Sequence, residues 1–346
     1  MIRSSLRNVV GLSQEPDLIT YDMFSQERSD REARAAEKLE RIYHLGQEKA
    51  WNGKEVLAEL MEKHGGIQLA PEKLAPLRRI FAVIFWGELA AWKVSAQLAL
   101  ELVPLEAKMA ASSQAHDEAR HFYVMHDYLE QLKYTPESLS PSSARILASV
   151  LSADSLAKKL MGMQLMVEPV ALTLFQLVRE SQIEPVLCDL LVYYERDEAR
   201  HVALGIQYLP HLIAKMSARE KVEFLLWKLK LFSYQLDALR ELETDVRALG
   251  YHPREVIRLG QLKLLHAARL LEEEAPMALP IEAMLSRLVE FRMALDFPES
   301  EDTGAIERWT QAIQALALSA EQSREIAREI QGLSQEDTFP TTPVEG

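Results

Sequence analysis

Cysteine is almost missing from this chain. Cys188 is the only one in 346 residues, so no intramolecular disulfide, cysteine zinc site or rubredoxin-type iron site can form. Cys188 itself reads as a small buried hydrophobe. Glycine and proline are also scarce, 13 and 15 residues, which excludes collagen-like and Pro-rich disordered architectures. Long apolar runs are absent too. The most apolar stretch, Ile80–Trp86, is far short of the roughly 18–20 residues a membrane-spanning helix needs. Basic charge is in deficit: 39 Lys and Arg face 52 Asp and Glu, for a net charge of −13. That balance argues against broad binding to nucleic acid or anionic membrane, both of which favour a basic face. The N-terminal residues Met1–Arg7 have a basic flavour but no apolar stretch behind them, so the cytoplasm is the expected compartment.

What is present is helical periodicity. Hydrophobic residues make up 48% of the chain, enough for a large core, and strand-like alternation flanked by turns is absent. The chain reads as all-α. Residues 1–70 are expected to hold an irregular start followed by helices, among them a charge-dense one over Ser29–Gln47. Pro71 opens a helix to about Glu101, and a second runs from Pro104 to about Leu132. A turn-rich crossover follows, with helix resuming from Arg145 to Glu180, broken near Asp154-Ser155. A further helix runs from Pro185 to just before Pro210. Residues 71–212 thus form one helical unit, and 213–333 a C-terminal helical extension packed on it, in stretches near 217–247, 254–274, 279–295 and 304–331. Residues 334–346 read as a disordered tail.

One pentapeptide occurs twice unchanged, Asp117-Glu118-Ala119-Arg120-His121 and Asp197-Glu198-Ala199-Arg200-His201, offset by 198 − 118 = 80 residues. Glu88 precedes Glu118 by 30 residues and Glu168 precedes Glu198 by 30, so the whole set repeats. Residues i and i+3 share a helix face, which lets each Glu-x-x-His present a carboxylate and an imidazole together. Glu88 and Glu168 sit on apolar helical faces, where an isolated carboxylate would need a partner. A Glu from each of two helices and a Glu-x-x-His from each of two others is the ligand set of di-iron and di-manganese helix bundles. Four carboxylates carry −4 and two divalent metals +4, so the centre is near neutral. A single Glu-x-x-His would read as a surface pair; the duplication is what sets this one apart. The remaining histidines lack partners at ligand spacing. Pro169, directly after Glu168, cannot sit in a regular helix interior and predicts a kink or π-bulge beside the metals.

At these residues the chain resembles the ferritin-like superfamily of dinuclear carboxylate enzymes, most closely acyl-carrier-protein desaturases and the hydroxylase subunits of bacterial multicomponent monooxygenases. The resemblance covers roughly Pro71 to Pro210. It implies a ferritin-like four-helix bundle with added N- and C-terminal helices, and two iron ions, a mixed manganese/iron centre being equally compatible with nitrogen and oxygen ligands. It further implies that Glu118 and Glu198 bridge the metals, while Glu88 with His121 and Glu168 with His201 each complete one. Asp117 would then orient His201, and Asp197 would orient His121, with Arg120 and Arg200 alongside.

Departures narrow the family. Met125 stands where reductase small subunits carry a radical tyrosine, and Tyr194 where arylamine N-oxygenases carry an extra histidine. Ala90 and Met163 occupy the positions of the Val–Tyr crosslink of ligand-binding oxidases. The expectation is an O2-dependent oxidoreductase that hydroxylates or desaturates an apolar small-molecule or carrier-bound substrate, with electrons from an external ferredoxin or reductase. The alternative is an iron-handling, ferroxidase-type protein without organic substrate. Ile84, Trp92, Met125, Leu165, Leu172 and Gly205, each a helical turn from a ligand, are candidates to shape a pocket or, equally, ordinary core. Gly205 could leave room for a channel. The locally basic stretch Arg247–Arg269 suggests either a docking face for an acidic partner or a solvated surface, and the C-terminal helices leave a homodimer open.

Overall fold

The computed structural model describes residues 37–317, except 137, 275–280 and 301. The described residues form helices and connecting turns, without strands. In chain order the helices are α1 (Glu37–Glu48), α2 (Gly53–His64), α3 (Pro71–Glu101), α4 (Leu105–Gln131), α5 (Pro141–Leu151) and α6 (Leu156–Gly162). A π-helical turn, Met163–Val167, leads into α7 (Glu168–Glu180), followed by α8 (Pro185–Ala214) and α9 (Ala218–Glu241). The last are α10 (Glu243–Leu249), α11 (Pro253–Glu274), α12 (Ile281–Asp296) and α13 (Ala305–Leu316). The irregular start, the first part of the Ser29–Gln47 helix, the last part of the 304–331 stretch and the 334–346 tail lie outside the described residues.

Local chemistry sets most boundaries. Asn52 caps α2 through its side-chain oxygen, and Gly65, at φ 68°, takes the left-handed conformation that closes it. Ser217 and Glu220 form a capping box on α9. Helix α5 starts at Pro141, earlier than the apolar pattern at Arg145 suggests, because Ser140 caps it and Pro141 is preset for a first turn. Helix α8 runs through Pro210 instead of stopping before it. Proline removes one intrahelical bond at about 3 kcal/mol, but Leu209 and Ile213 are buried on either side of it and hold the last turn in place. The 217–247 stretch divides at Leu242 into α9 and α10.

Helices α3, α4 and α8, together with the α6–π–α7 segment, cross a common centre, and each changes character along its length. One apolar cluster takes Leu77, Phe81 and Phe85 of α3, Tyr128 and Leu129 of α4, Phe175 of α7, and Leu187 and Leu191 of α8. A second takes Val94 and Leu98 of α3, Ala107 and Ala110 of α4, Leu160, Met163 and Met166 before α7, and Leu204 and Leu209 of α8. The polar positions of all four segments fall between the two clusters. Burial of each large side chain stabilises by about 1.5–3 kcal/mol, so the two clusters clamp the polar belt from both ends. Leu156–Glu180 is long and apolar enough to cross a membrane by composition, yet 72% of its most apolar window is buried within the protein.

The π turn fulfils the expectation set by Pro169. The Glu168 N–H donates to the Met163 carbonyl five residues back, and the widened turn gives the proline ring room that a regular α-turn denies. Gln235 of α9 supplies a hydrogen bond to the Met166 carbonyl at 2.8 Å. Gly205 of α8 lies against this turn, and a Cβ there would stand 2.9 Å from the Gln164 Cβ and 3.1 Å from the Leu165 side chain. Gly205 therefore permits close packing and opens no channel. Gly205→Val is expected to cost about 1–3 kcal/mol through overpacking. Chemical denaturation measures this directly, and unchanged stability would mean that the π turn does not rest on α8.

Candidate metal centre

Each ligand candidate is placed by helix periodicity and walled by the two apolar clusters. Glu88, Glu118, His121, Glu168, Glu198 and His201 are all 0–4% exposed, far below what charged residues tolerate without compensation. They fall into two overlapping groups, Glu88, Glu118, His121, Glu198 and Glu118, Glu168, Glu198, His201, whose ligand atoms lie within 4.8 Å of one another. Glu118 and Glu198 belong to both groups. His121 Nδ1 lies 3.2 Å from Glu198 and 3.4 Å from Glu88. His201 Nδ1 lies 3.0 Å from Glu118 and 3.1 Å from Glu198.

The far nitrogens of both imidazoles are tied down across the duplicated halves. His121 Nε2 lies 3.2 Å from Asp197 Oδ2, and His201 Nε2 lies 3.4 Å from Asp117 Oδ2. Arg120 Nη2 donates to Asp117 at 2.6 Å and to Asp197 at 2.8 Å. Arg200 Nη2 donates to Asp117 at 2.9 Å and to Asp197 at 2.8 Å. The two aspartates and two arginines thus form a closed quartet of zero net charge. It fixes each imidazole so that Nδ1 faces the carboxylates, the tautomer and ring orientation a metal ligand needs.

Charge and burial explain the protonation of the metal-free site. Burial pushes Glu88 and Glu168 well above the usual carboxylate range, only partly offset by the neighbouring imidazoles. Burial acts on Glu118 in the same sense, but the charges and hydrogen bonds of His201 and His121 outweigh it and hold this carboxyl low. Asp117 and Asp197 are likewise held down against burial, by His201 and Arg200 and by His121, Arg200 and Trp51 respectively. The imidazoles rise well above their ordinary value, because the surrounding carboxylates outweigh burial.

The residues fit two metal ions. Among the described residues, Glu118 Oε2, His121 Nδ1 and Glu168 Oε2 are buried with no partner in hydrogen-bonding geometry, although His121 Nδ1 stands close to three carboxylates. A bound cation relieves this incompletely satisfied state. The four glutamates contribute −4, which two divalent ions balance. Oxygen and imidazole donors suit iron, manganese and related metals, not the soft-ligand sites of copper(I).

At the site, Gln114 and Trp51 are not singled out by the sequence, and Tyr194 stands out there only as a departure from arylamine N-oxygenases. Gln114, fully buried, donates to Glu168 at 2.7 Å and Glu118 at 3.1 Å, and it accepts from Gln164 of the π turn at 3.3 Å. Tyr194 occupies the equivalent place in the second half, stacks on the His121 ring at 4.2 Å and donates to the His121 carbonyl at 2.6 Å. Both stand four residues before a ligand glutamate, so the same-face periodicity that revealed the ligands also marks them. Trp51 gives its indole N–H to Asp197 at 2.7 Å from 146 residues away, and the Arg120 guanidinium stands 4.7 Å above its ring. Nothing local in the sequence announces that contact.

An apolar cavity of about 170 Å³ reaches the centre, lined by Glu88, Glu118, Glu168 and Glu198 on one side. Of the six pocket candidates, Ile84 lines it. Trp92 is 39% exposed, because it sits on the outer face of α3 one turn from Glu88. Met125 and Leu172 pack into the apolar clusters, and Leu165 faces a separate, smaller space beside Met161 and Lys228. The true cavity wall includes α9 and α11, which spacing around the ligands could not reveal. The basic stretch is not an open face. Arg247 pairs with Glu243 and Arg258 with Glu290, Arg254 bonds the Phe297 carbonyl, and Lys263 is buried. Of the other histidines, His64 pairs with Asp189, and His126 forms a half-buried group with Asp127 and the exposed Glu130.

Comparisons with protein-family models, with curated proteins and with solved structures returned no match to this chain.

The site makes two measurable demands. Glu88, Glu168, His121 and His201 all have folded pKa values above their unfolded ones, so the stability they contribute is lost as pH rises through those raised values. Asp117, Asp197 and Glu118 act oppositely, and their contribution fails only below the ordinary carboxylate range near 4. The melting temperature of the metal-free protein is therefore expected to fall from weakly acidic to alkaline pH. Loading with Mn(II) should remove the fall, since metal replaces the protons; parallel pH profiles for both forms would contradict this. Secondly, Asp117→Asn should weaken metal binding about 10–100-fold by releasing His201, read by calorimetric titration with Mn(II) against the unaltered protein.

Proposed function

We propose that this chain is a non-haem di-iron oxidoreductase of the ferritin-like kind, which uses O2 to hydroxylate or desaturate an apolar organic substrate. The observation that carries the reading is the apolar cavity ending on the four glutamates. The four segments around the centre are read as the ferritin-like four-helix bundle, and the repeated Asp-Glu-Ala-Arg-His motif supports its resemblance to acyl-carrier-protein desaturases and monooxygenase hydroxylase subunits. Glu118 and Glu198, which belong to both groups, would hold both metals, while Glu88 with His121, and Glu168 with His201, would each hold one. When bound, two irons would supply redox chemistry with O2 that no side chain of the protein offers.

The chain's own residues do the rest. The Asp–Arg quartet keeps both imidazoles oriented and neutralises itself, so the full charge of the glutamates is directed at the metals. Gln114 holds Glu168 and Glu118 in register through its amide. The cavity wall keeps water from the reacting position, and Ile84 stands beside Glu88 where a substrate carbon would rest. Electrons come from an external ferredoxin or reductase, since the chain has no flavin, nicotinamide or cysteine-cluster motif. The iron-handling reading draws on the same ligands, but it gives no use to an apolar chamber walled by C-terminal helices.

The test is reduction of the iron-loaded protein, exposure to O2 and product analysis over a panel of acyl and aromatic compounds. Two irons per chain and substrate-dependent O2 consumption are expected. Ile84→Trp, which fills the cavity, should lower substrate oxidation roughly 100-fold through misplacement of the substrate while metal content stays unchanged. Oxygen consumed only in proportion to added Fe(II), with mineral accumulating and no substrate effect, would establish the iron-handling reading instead.

A further inference from the structure

Among the described residues, Gly46, Gly53, Gly87, Gly162, Gly205 and Gly260 lie in helices. Glycine is unfavourable in a helix relative to alanine, so each position calls for a physical reason. For four of them the reason is close packing. A Cβ would collide with Ser113 at Gly46 and with Val124 at Gly53. It would stand 2.8 Å from Trp227 and from Val150 at Gly162, and it would crowd the π turn at Gly205. Gly87 and Gly260 differ. Apart from its chain neighbours and its own helix backbone, a Cβ at Gly87 would meet no atom within 4 Å. At Gly260 it would meet only the Thr173 hydroxyl oxygen at 3.8 Å, an ordinary contact distance.

Both exceptions line the apolar cavity. The other lining residues of α3 are Ile80, Val83, Ile84, Glu88 and Ala91, which place Gly87 in the middle of that helix's cavity face. Val256, Ile257, Gln261 and Leu264 do the same for Gly260 on α11. The space each glycine leaves is therefore cavity volume. Away from the glutamates nothing there offers charge, since among the described residues no Lys, Arg or His lines the cavity. Thr173 already donates its hydroxyl to the Pro169 carbonyl at 2.8 Å. The cavity holds about 170 Å³, and a dry apolar cavity of about 150 Å³ accepts benzene.

We infer that Gly260 on the outer wall and Gly87 beside Glu88 are specificity-determining positions, and that they admit a compact apolar substrate, a single ring with small substituents. Selection is by bulk, because the two missing side chains leave room that a methyl group at either position would take. One methylene gained or lost in an apolar pocket changes discrimination about 10–200-fold. An alanine at either place would strengthen its helix and narrow the cavity, so stability and ligand size pull in opposite directions there. At Gly205 and the other tightly packed glycines they do not. The inference rests on the cavity being the substrate site.

The test is calorimetric titration of the full-length protein with benzene, p-xylene and naphthalene, beside the melting temperature of each unliganded variant. In the unaltered protein p-xylene is expected to bind most tightly and naphthalene most weakly. Gly260→Ala and Gly87→Ala should each weaken p-xylene about tenfold and benzene far less. Each should also raise the unliganded melting temperature by about 1–3 °C, the gain of an alanine over a glycine in a helix. Absence of binding by all three compounds, tightest binding by naphthalene, or unchanged p-xylene affinity in either variant overturns the inference. So does a lowered melting temperature in both variants, which would mean that these glycines serve packing. Binding is read without turnover, so glycine-dependent binding with no O2-dependent product counts against the oxidase reading and leaves the size limit standing. O2-dependent product, with both variants binding as the unaltered protein does, overturns the size limit and leaves the oxidase.

Discussion

Everything in this molecule is arranged around six ionisable ligand side chains that have been taken out of water together. Four glutamates and two histidines in a dry centre cannot persist as isolated charges, and the fold answers with three layers of compensation. Burial raises Glu88 and Glu168, which favours their protonated forms in the metal-free site. Two arginines neutralise the two aspartates that hold the imidazoles. The donor set itself forms two overlapping groups, each of which could hold a metal ion. The apolar clusters on either side serve this requirement, because they exclude the water that would otherwise solvate the charges and loosen the geometry.

The helices beyond the central four segments do more than cover them. Gln235 on α9 reaches the π turn, so the outer wall of the cavity is fastened to the ligand side by a directional contact as well as by packing. The π turn joins the two. It carries Gln164, which bonds Gln114, which in turn holds two of the glutamates. A displacement of α9 is therefore transmitted to Glu168 through a short run of hydrogen bonds rather than being absorbed by soft apolar contacts.

Much of this was legible in the amino-acid order. The repeated pentapeptide and the matching 30-residue spacings select all six ligand candidates, since helical periodicity translates directly into a shared face, while the aspartate–histidine exchange is implied by the resemblance to ferritin-like enzymes. Pro169 foretold the irregular turn, because the loss of an N–H is a local property. The misses are non-local. Trp51 reaches Asp197 from a distant loop, the cavity wall comes from α9 and α11, and Trp92 and Met125 turn away from the centre although they stand one turn from a ligand. Periodicity tells which residues share a face but not which partner helix covers it. Pro210 misled for a related reason: burial of its neighbours outweighs a local preference to stop.

The crossed pairing of the two halves has a consequence for biosynthesis. His121 relies on Asp197, 76 residues downstream, and His201 relies on Asp117, 84 residues upstream. Neither half contains a complete, oriented imidazole site, so a chain still emerging from the ribosome holds no competent ligand set until α8 has been released and has docked. Any metal capture by these residues would thereby be postponed to the end of assembly. A truncated or partly folded product would lack the two assembled donor groups.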